Sequence, residues 1–294
     1  MRIREAVQHF GYVPNLLAGG LASSRTRLVA VVIPEIAQPI FSSTIQSIAD
    51  ALAEGGFSVL LGLTGTSDEH ADRQLVSIIG RRPDGIILTG ASLRQEARQR
   101  LRDTGISTIE TWDLPADPID LTVGFSHLSV GRAVARHALA AGRRRALVVS
   151  AGGQRALERR DGFVRTMSKG GAPEPTLAMF GATTTYRDGR SAVALHLDRG
   201  VKLDLVVCSS DWAAHGALDE LRHRGVRVPD DVAVIGFGDL GFSSELTPAL
   251  TTVKIDGSVI GQQAVKFLTL RAQGKRIQQP VVDVGFSLEV RQSG

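Results

Sequence analysis

Leu28-Val-Ala-Val-Val-Ile33 is a run of six apolar residues, four of them β-branched, closed by Pro34. A short run without polar alternation reads as a strand buried on both faces. The segments after it decide the fold. Ile45, Ile48, Ala49 and Leu52 recur at helical spacing, and Gly55-Gly56 stop that helix as C-cap glycines do. Ser58–Leu63 (SVLLGL) is the next strand, Leu75, Val76, Ile78 and Ile79 mark the next helix, and Asp84–Thr89 (DGIILT) is a third strand. A helix over 92–104 and a strand over 107–111 complete a first half. The rhythm then repeats: helix 127–141, strand 146–150, helix 155–169, a short strand near 177–180, helix 188–199, strand 203–208, helix 211–224 and strand 232–236. Apolar strands alternating with helices predict parallel sheets covered on both faces. Two such halves predict an α/β protein of two doubly wound lobes with a cleft between them. Ligands of open α/β sheets sit beyond the carboxyl ends of the strands. The loops after strands 1, 3 and 4 of each half are therefore the expected lining.

Composition agrees. A chain of 294 residues, 43% hydrophobic and 22% charged, is long enough for two domains and excludes disorder, collagen and coiled coil. Its longest purely apolar runs are about six residues, far short of the roughly 20 that cross a bilayer. The opening MRIREAVQHFG has no apolar h-region, so no signal peptide is expected. Cys208 is the only cysteine, which excludes an internal disulfide and fits a reducing cytosol. Of the net charge of +4, Arg2, Arg4, Arg25 and Arg27 against Glu5 place +3 in residues 1–27. A basic arm on a near-neutral body fits either a polyanion partner or a solvated terminus.

Those first residues stand outside the alternating rhythm. Ile3, Ala6, Val7 and Phe10 share one face of a possible helix over 2–10, ended by Gly11. Tyr12-Val-Pro-Asn15 reads as a turn, with Asn15 as N-cap of a segment over 16–22 carrying Leu17, Ala18 and Leu21. Gly19 and Gly20 lie inside it, and each costs about 0.8–1.0 kcal/mol relative to alanine. That short helix is not expected to be stable alone.

Gly236-Phe-Gly238-Asp-Leu-Gly241 spells the dinucleotide fingerprint, but Pro248 prevents a long helix from starting at the third glycine. A tight glycine loop lining a cleft is the better reading. The seven histidines form no close ligand pair, and the nucleophile-elbow and Walker A patterns are absent, so no catalytic residue, metal or cofactor is expected. His127 and His137 read as helix-surface or partly buried residues, and Cys208 as a core thiol. Arg159, early in its helix and close after Gly152-Gly153, sits where a guanidinium can fork onto a carboxylate. Glu110 faces the same cleft from the first half. Trp112 reads equally as a sugar-stacking or a packing aromatic.

Taken in order along the chain, several motifs resemble the lactose-repressor (LacI) family of transcription factors. Ala6-Val-x3-Gly11-Tyr-Val-Pro-Asn15-x2-Ala18-x2-Leu21 resembles the last headpiece helix and the hinge of that family. Val31-Val-Ile-Pro34-x4-Pro39-Ile-Phe41 is similar to its first core strand and pocket loop. Arg159-x2-Gly162-Phe163, Ser210-Asp211-x4-Gly216-Ala217, Val234-Ile-Gly-Phe237, Leu250-Thr-Thr-Val253 and Leu288-Glu-Val-Arg291-Gln-Ser293 come after these in the family's order. Ile235-Gly-Phe-Gly-Asp239, Trp112-Asp113-Leu114 and Gly124-Phe-Ser-His127 are most similar to its gluconate-type repressors.

The resemblance implies two lobes of the periplasmic-binding-protein kind behind a short N-terminal helical segment. Residues 1–26 would be a remnant of the DNA-binding headpiece and hinge, 27–126 with 257–273 the N-terminal lobe, and 127–256 with 280–294 the C-terminal lobe. It implies an effector pocket at Gln38, Pro39, Ile40, Phe41, Thr89, Glu110, Arg159, Thr184, Ser210 and either Gly238 or Asp239. It implies hinge contacts to operator DNA through Asn15, Ala18 and Leu21, the leucine entering the minor groove. Sugars or sugar acids are the implied effectors, and a cytoplasmic homodimer built through the core lobes the implied assembly; Ala49, Leu52 and Ala53 are candidates for its face. The family's helix-turn-helix is matched only from its last helix, so weak operator binding by this chain is expected. The family usually has an arginine where this chain has Gly19 and Gly20. A periplasmic-type sugar-binding protein is the alternative reading, and a nucleotide-dependent enzyme a third.

Overall fold

The computed structural model describes residues 26–65, 67–91 and 93–294, together with residue 9. Apart from residue 9, the expected helix over 2–10 lies outside the described residues, as do the hinge positions Asn15, Ala18 and Leu21.

The chain builds two six-stranded sheets of matching topology. The first takes strands β1 (Leu28–Ile33), β2 (Ser58–Leu63), β3 (Gly85–Thr89), β4 (Thr108–Thr111), β5 (Leu121–Gly124) and β11 (Val281–Asp283), in the order β11-β5-β4-β3-β1-β2. The second takes β6 (Ala146–Ser150), β7 (Thr176–Met179), β8 (Leu205–Cys208), β9 (Ala233–Phe237), β10 (Thr251–Lys254) and β12 (Ser287–Glu289), in the order β12-β10-β9-β8-β6-β7. Every pairing is parallel except β12 on β10. Helices cover the faces: α1 (Ser42–Glu54), α2 (Asp68–Ile79), α3 (Gln95–Thr104) and α8 (Gly257–Ala272) the first sheet, and α4 (His127–Ala140), α5 (Gln154–Lys169), α6 (Tyr186–Asp198) and α7 (Asp211–His223) the second. The central strands are buried along almost their whole length, which is why their sequences carry no polar alternation.

One boundary differs from the sequence expectation. Residues 280–294 do not all belong to the second lobe. Val281–Asp283 pair with Thr122–Gly124, and the Thr122 amide donates to the Pro280 carbonyl at 2.8 Å, so β11 extends the first sheet. The chain thus passes between the lobes after β5, after β10 and after β11. A single buried apolar cluster runs through these passages and includes Trp112, Phe125, Phe237 and Val253.

Glycines bring the helices of the second lobe together. A Cβ on Gly131 of α4 would lie 1.9 Å from the Arg159 carbonyl oxygen, and one on Gly162 of α5 2.3 Å from that of Leu128. α6 and α7 repeat the device, with Gly189 against the Ala213 carbonyl and Gly216 against that of Tyr186.

β2 is the free edge of the first sheet, and Val59, Leu61 and Leu63 on it are each more than a third exposed. Leu52, one of the residues expected on the association face, instead lies in the core at 2% exposure, because its helix turns that side onto the sheet.

Candidate functional site

Between the lobes lies a cleft of about 750 Å³. The 3-10 turn Pro39–Phe41 after β1, the ends of β3 and β4, the loops after β6 and β8 and Leu240 after β9 line it where the sequence reading expects them, but the loops after β2 and β7, the second strand of each half, line it as well. Strand order reverses beside β1 and beside β6, so the helices leave the two faces there and open the crevice.

Arg159, in the second turn of α5, faces this cleft. Its Cζ lies 3.8 Å from the centre of the Phe237 ring. Nη1 donates to His127 Nδ1 at 3.0 Å and Nη2 to the Ser209 carbonyl at 3.3 Å. Among the described residues no carboxylate forms an ion pair with it. Burial first, and then the charge of Arg155, pull its pKa down to about 9.

Nothing in the local sequence marks Arg155, although it stands one helical turn before Arg159. It reaches across the cleft mouth to the first lobe, donating from Nε to Asp113 at 3.2 Å and from Nη1 to the Gly90 carbonyl. The helical i, i+4 spacing puts both guanidinium groups on one face of α5.

Hydroxyl groups cluster beside them. Thr184 Oγ1 lies 2.8 Å from Ser210 Oγ and 3.0 Å from Ser209 Oγ. Ser210 is also the N-cap of α7, accepting from the Ala213 amide, so its position is fixed by the helix it starts. Gln38, Pro39, Ile40 and Phe41 line the opposite wall.

Other expected contacts differ. Glu110 lines the cleft, but its carboxylate is engaged within the first lobe, by Arg98 at 2.6 Å and by the Ile119 amide at 2.7 Å. Thr89 is fully buried beneath the wall, its hydroxyl 3.2 Å from that of Thr111, because its place on β3 turns it inward. Asp239 faces away and pairs with Arg291 at 2.7 Å; neither it nor Gly238 lines the cleft, where Phe237 and Leu240 stand instead. No helix begins at Gly241, as the glycine loop reading requires. Trp112 packs rather than stacks: it is 3% exposed, edge-on to Phe41 and Phe125, with Nε1 donating to Thr44 at 2.9 Å. His127 is not a surface residue but is buried in the cleft wall.

Comparison with known proteins gives this architecture a family. A model of a periplasmic binding protein-like domain matches residues 135–294. A transcriptional regulator of the LacI family from Silicibacter pomeroyi superposes with a TM-score of 0.92 at 28% identity, over 99% of this chain and 89% of that one. The HTH-type transcriptional regulator GntR of Pseudomonas aeruginosa is 35% identical over 99% of this chain and 86% of its own length. The chain belongs to the LacI family of transcriptional regulators. A further LacI-type regulator, CelR, solved as a complex with cellobiose, superposes with a TM-score of 0.78 at 27% identity, over 99% of this chain and 89% of that one. In this LacI-family chain no described helix is long and apolar enough to cross a membrane.

Proposed function

We propose that the two lobes are the effector-binding and dimerisation core of a cytoplasmic, DNA-binding repressor whose effector is a small polyhydroxy carboxylate of the gluconate type. The observation that carries the reading is Arg159, a cation in a roomy cleft with an aromatic ring beneath it and no ion pair to any described carboxylate. A buried charge without a partner is costly, and an incoming carboxylate supplies the partner in a two-point geometry. The Thr184, Ser209 and Ser210 hydroxyls supply donors and acceptors for the sugar chain. The reading is of a binding site and not an enzyme: both ring nitrogens of His127 are committed, to Trp112 and Arg159, so it activates no hydroxyl. Residues 1–26 then belong to the headpiece and hinge, with operator DNA as the partner of Asn15, Ala18 and Leu21.

Thermal shift and calorimetry with gluconate, other aldonates and neutral sugars test this. An aldonate at 100 times its dissociation constant is expected to add about 2.7 kcal/mol of stability. A neutral aldose is the second reading, because the related CelR was solved with cellobiose. Micromolar binding of a neutral sugar with no heat from any aldonate would establish it instead.

The same proposal places self-association on the β2 edge, whose exposed Val59, Leu61 and Leu63 form a row on one face. Sedimentation is expected to give a dimer at tens of micromolar for the wild type and a monomer for Leu61→Glu. A dimer unaffected by that charge would move the interface elsewhere.

A further inference from the structure

We propose that His127 is a positioning residue of the effector site, fixing the Arg159 guanidinium from behind and tying it to the first lobe through Trp112. The ligand used in its test rests on the effector reading above; the geometry does not.

His127 opens α4 in the second lobe, and its ring bonds in two directions. Nδ1 is 3.0 Å from Arg159 Nη1 and Nε2 is 2.9 Å from the Trp112 carbonyl oxygen. A guanidinium only donates and a carbonyl only accepts. Nδ1 must therefore carry the lone pair and Nε2 the proton. Only the neutral ring, in that one tautomer, satisfies both neighbours. An imidazolium would set an N–H against a cationic N–H.

The surroundings hold the ring in that form. From α5 it faces the charges of Arg159 and Arg155. From the end of β4 it meets the Trp112 carbonyl, and the adjacent Asp113 carboxylate is engaged by Arg155. From the segment after β5 and from β9 it meets the rings of Phe125 at 4.6 Å and Phe237 at 6.4 Å. Burial, then the two arginines, keep its pKa well below the ordinary histidine value.

Trp112 carries the contact onward. Its backbone sits at φ 68°, a conformation that tertiary contacts must hold for a non-glycine residue. Its indole donates to Thr44 in α1, and its edge meets Phe41 in the cleft wall at 5.0 Å. Arg159 in one lobe is thus joined to α1 and to the 3-10 turn of the other through His127 and Trp112. An anion drawing on Arg159 pulls on a group whose second anchor lies across the cleft.

Glutamine reproduces an acceptor and a donor at imidazole-like spacing, and leucine reproduces neither. Calorimetry with gluconate on the full chain is expected to show His127→Leu weakened about tenfold or more, and His127→Gln restored to within about threefold of wild type. In an Arg159→Met background His127→Leu is expected to cost nothing further. Equal losses in both backgrounds, or equal loss from glutamine and leucine, would overturn the positioning role. Nitrogen-15 NMR of the ring in the unliganded wild type reads the tautomer directly. Neutral Nε2–H from about pH 6 to about pH 8 is expected; an Nδ1–H tautomer or an imidazolium in that range would overturn the proposal. If wild type binds no aldonate, the effector reading fails and the NMR result alone decides this one.

Discussion

Arg159→Ala is expected to lower gluconate affinity about a hundredfold while leaving the unliganded fold intact. A hydrogen bond to a charged group contributes roughly 1.5–3 kcal/mol, and a forked arginine makes two. About 2.7 kcal/mol of net loss is two decades in affinity. Arg159→Lys tests geometry apart from charge: the ammonium keeps the charge but cannot form the planar fork, and a loss of at least tenfold is expected. Calorimetry gives both numbers. The unliganded protein is the internal control. Because no described acid pairs with Arg159, its removal orphans no carboxylate, only the His127 Nδ1 and Ser209 carbonyl acceptors, and the thermal midpoint is expected to fall modestly without loss of the fold. An alanine variant that binds aldonates as well as wild type would remove Arg159 from the site. One that fails to fold would assign the guanidinium to stability, through Phe237 and the Ser209 carbonyl.

Gly131→Ala is expected to cost about 3 kcal/mol or more of folding stability. Overpacking usually costs about 1–3 kcal/mol, because side chains give way. At Gly131 the obstacle is backbone: the new Cβ would stand 1.9 Å from the Arg159 carbonyl oxygen and 2.8 Å from the Phe163 amide nitrogen. Only separation of α4 from α5 can relieve that, and separation opens the Phe163 and Val130 contacts beneath. Gly241→Ala is the control, since a Cβ there meets nothing within 4 Å and no left-handed backbone is involved. Urea unfolding is expected to show a large fall in midpoint for the first and almost none for the second. A mild Gly131→Ala would mean that the helix pair slides more easily than its packing implies. Because the clash falls on the carbonyl of Arg159 itself, surviving protein is also expected to bind gluconate weakly.

The buried strands were readable because both faces of each central strand are covered, so Leu28–Ile33, Ala146–Ser150 and Ala233–Phe237 spell themselves out as apolar runs. β5 and β10 were hidden. Each is four residues long, with one buried threonine in β5 and two in β10, and burial of threonine is a tertiary outcome that local pattern does not announce. The site was legible where position in the fold is enough. Arg159, early in the helix that follows the β6 loop, stands where strand ends meet at the cleft, whereas Thr184 and Ser210 were reached only through the family resemblance. It was illegible where a distant partner claims the side chain. Arg98 takes Glu110, and Arg291, 52 residues further on, takes Asp239. His127 looked ordinary because what distinguishes it, a carbonyl on one side and a guanidinium on the other, comes from two other segments.

The three passages of the chain between the lobes bear on how this protein can be cut and rebuilt. No contiguous stretch of gene encodes either lobe: the first sheet needs β11 from near the C-terminus, and its α8 begins only after the second lobe's β10 has ended. A protease that nicks one passage leaves two covalent ties, so the fragments are expected to stay together under native conditions and part only in denaturant. Truncation before residue 281 would strip an edge strand from the first lobe and β12 from the second at once. A split version of this protein for reporter work should therefore be broken at a surface turn within one lobe, where a single interface must re-form, and not at the waist.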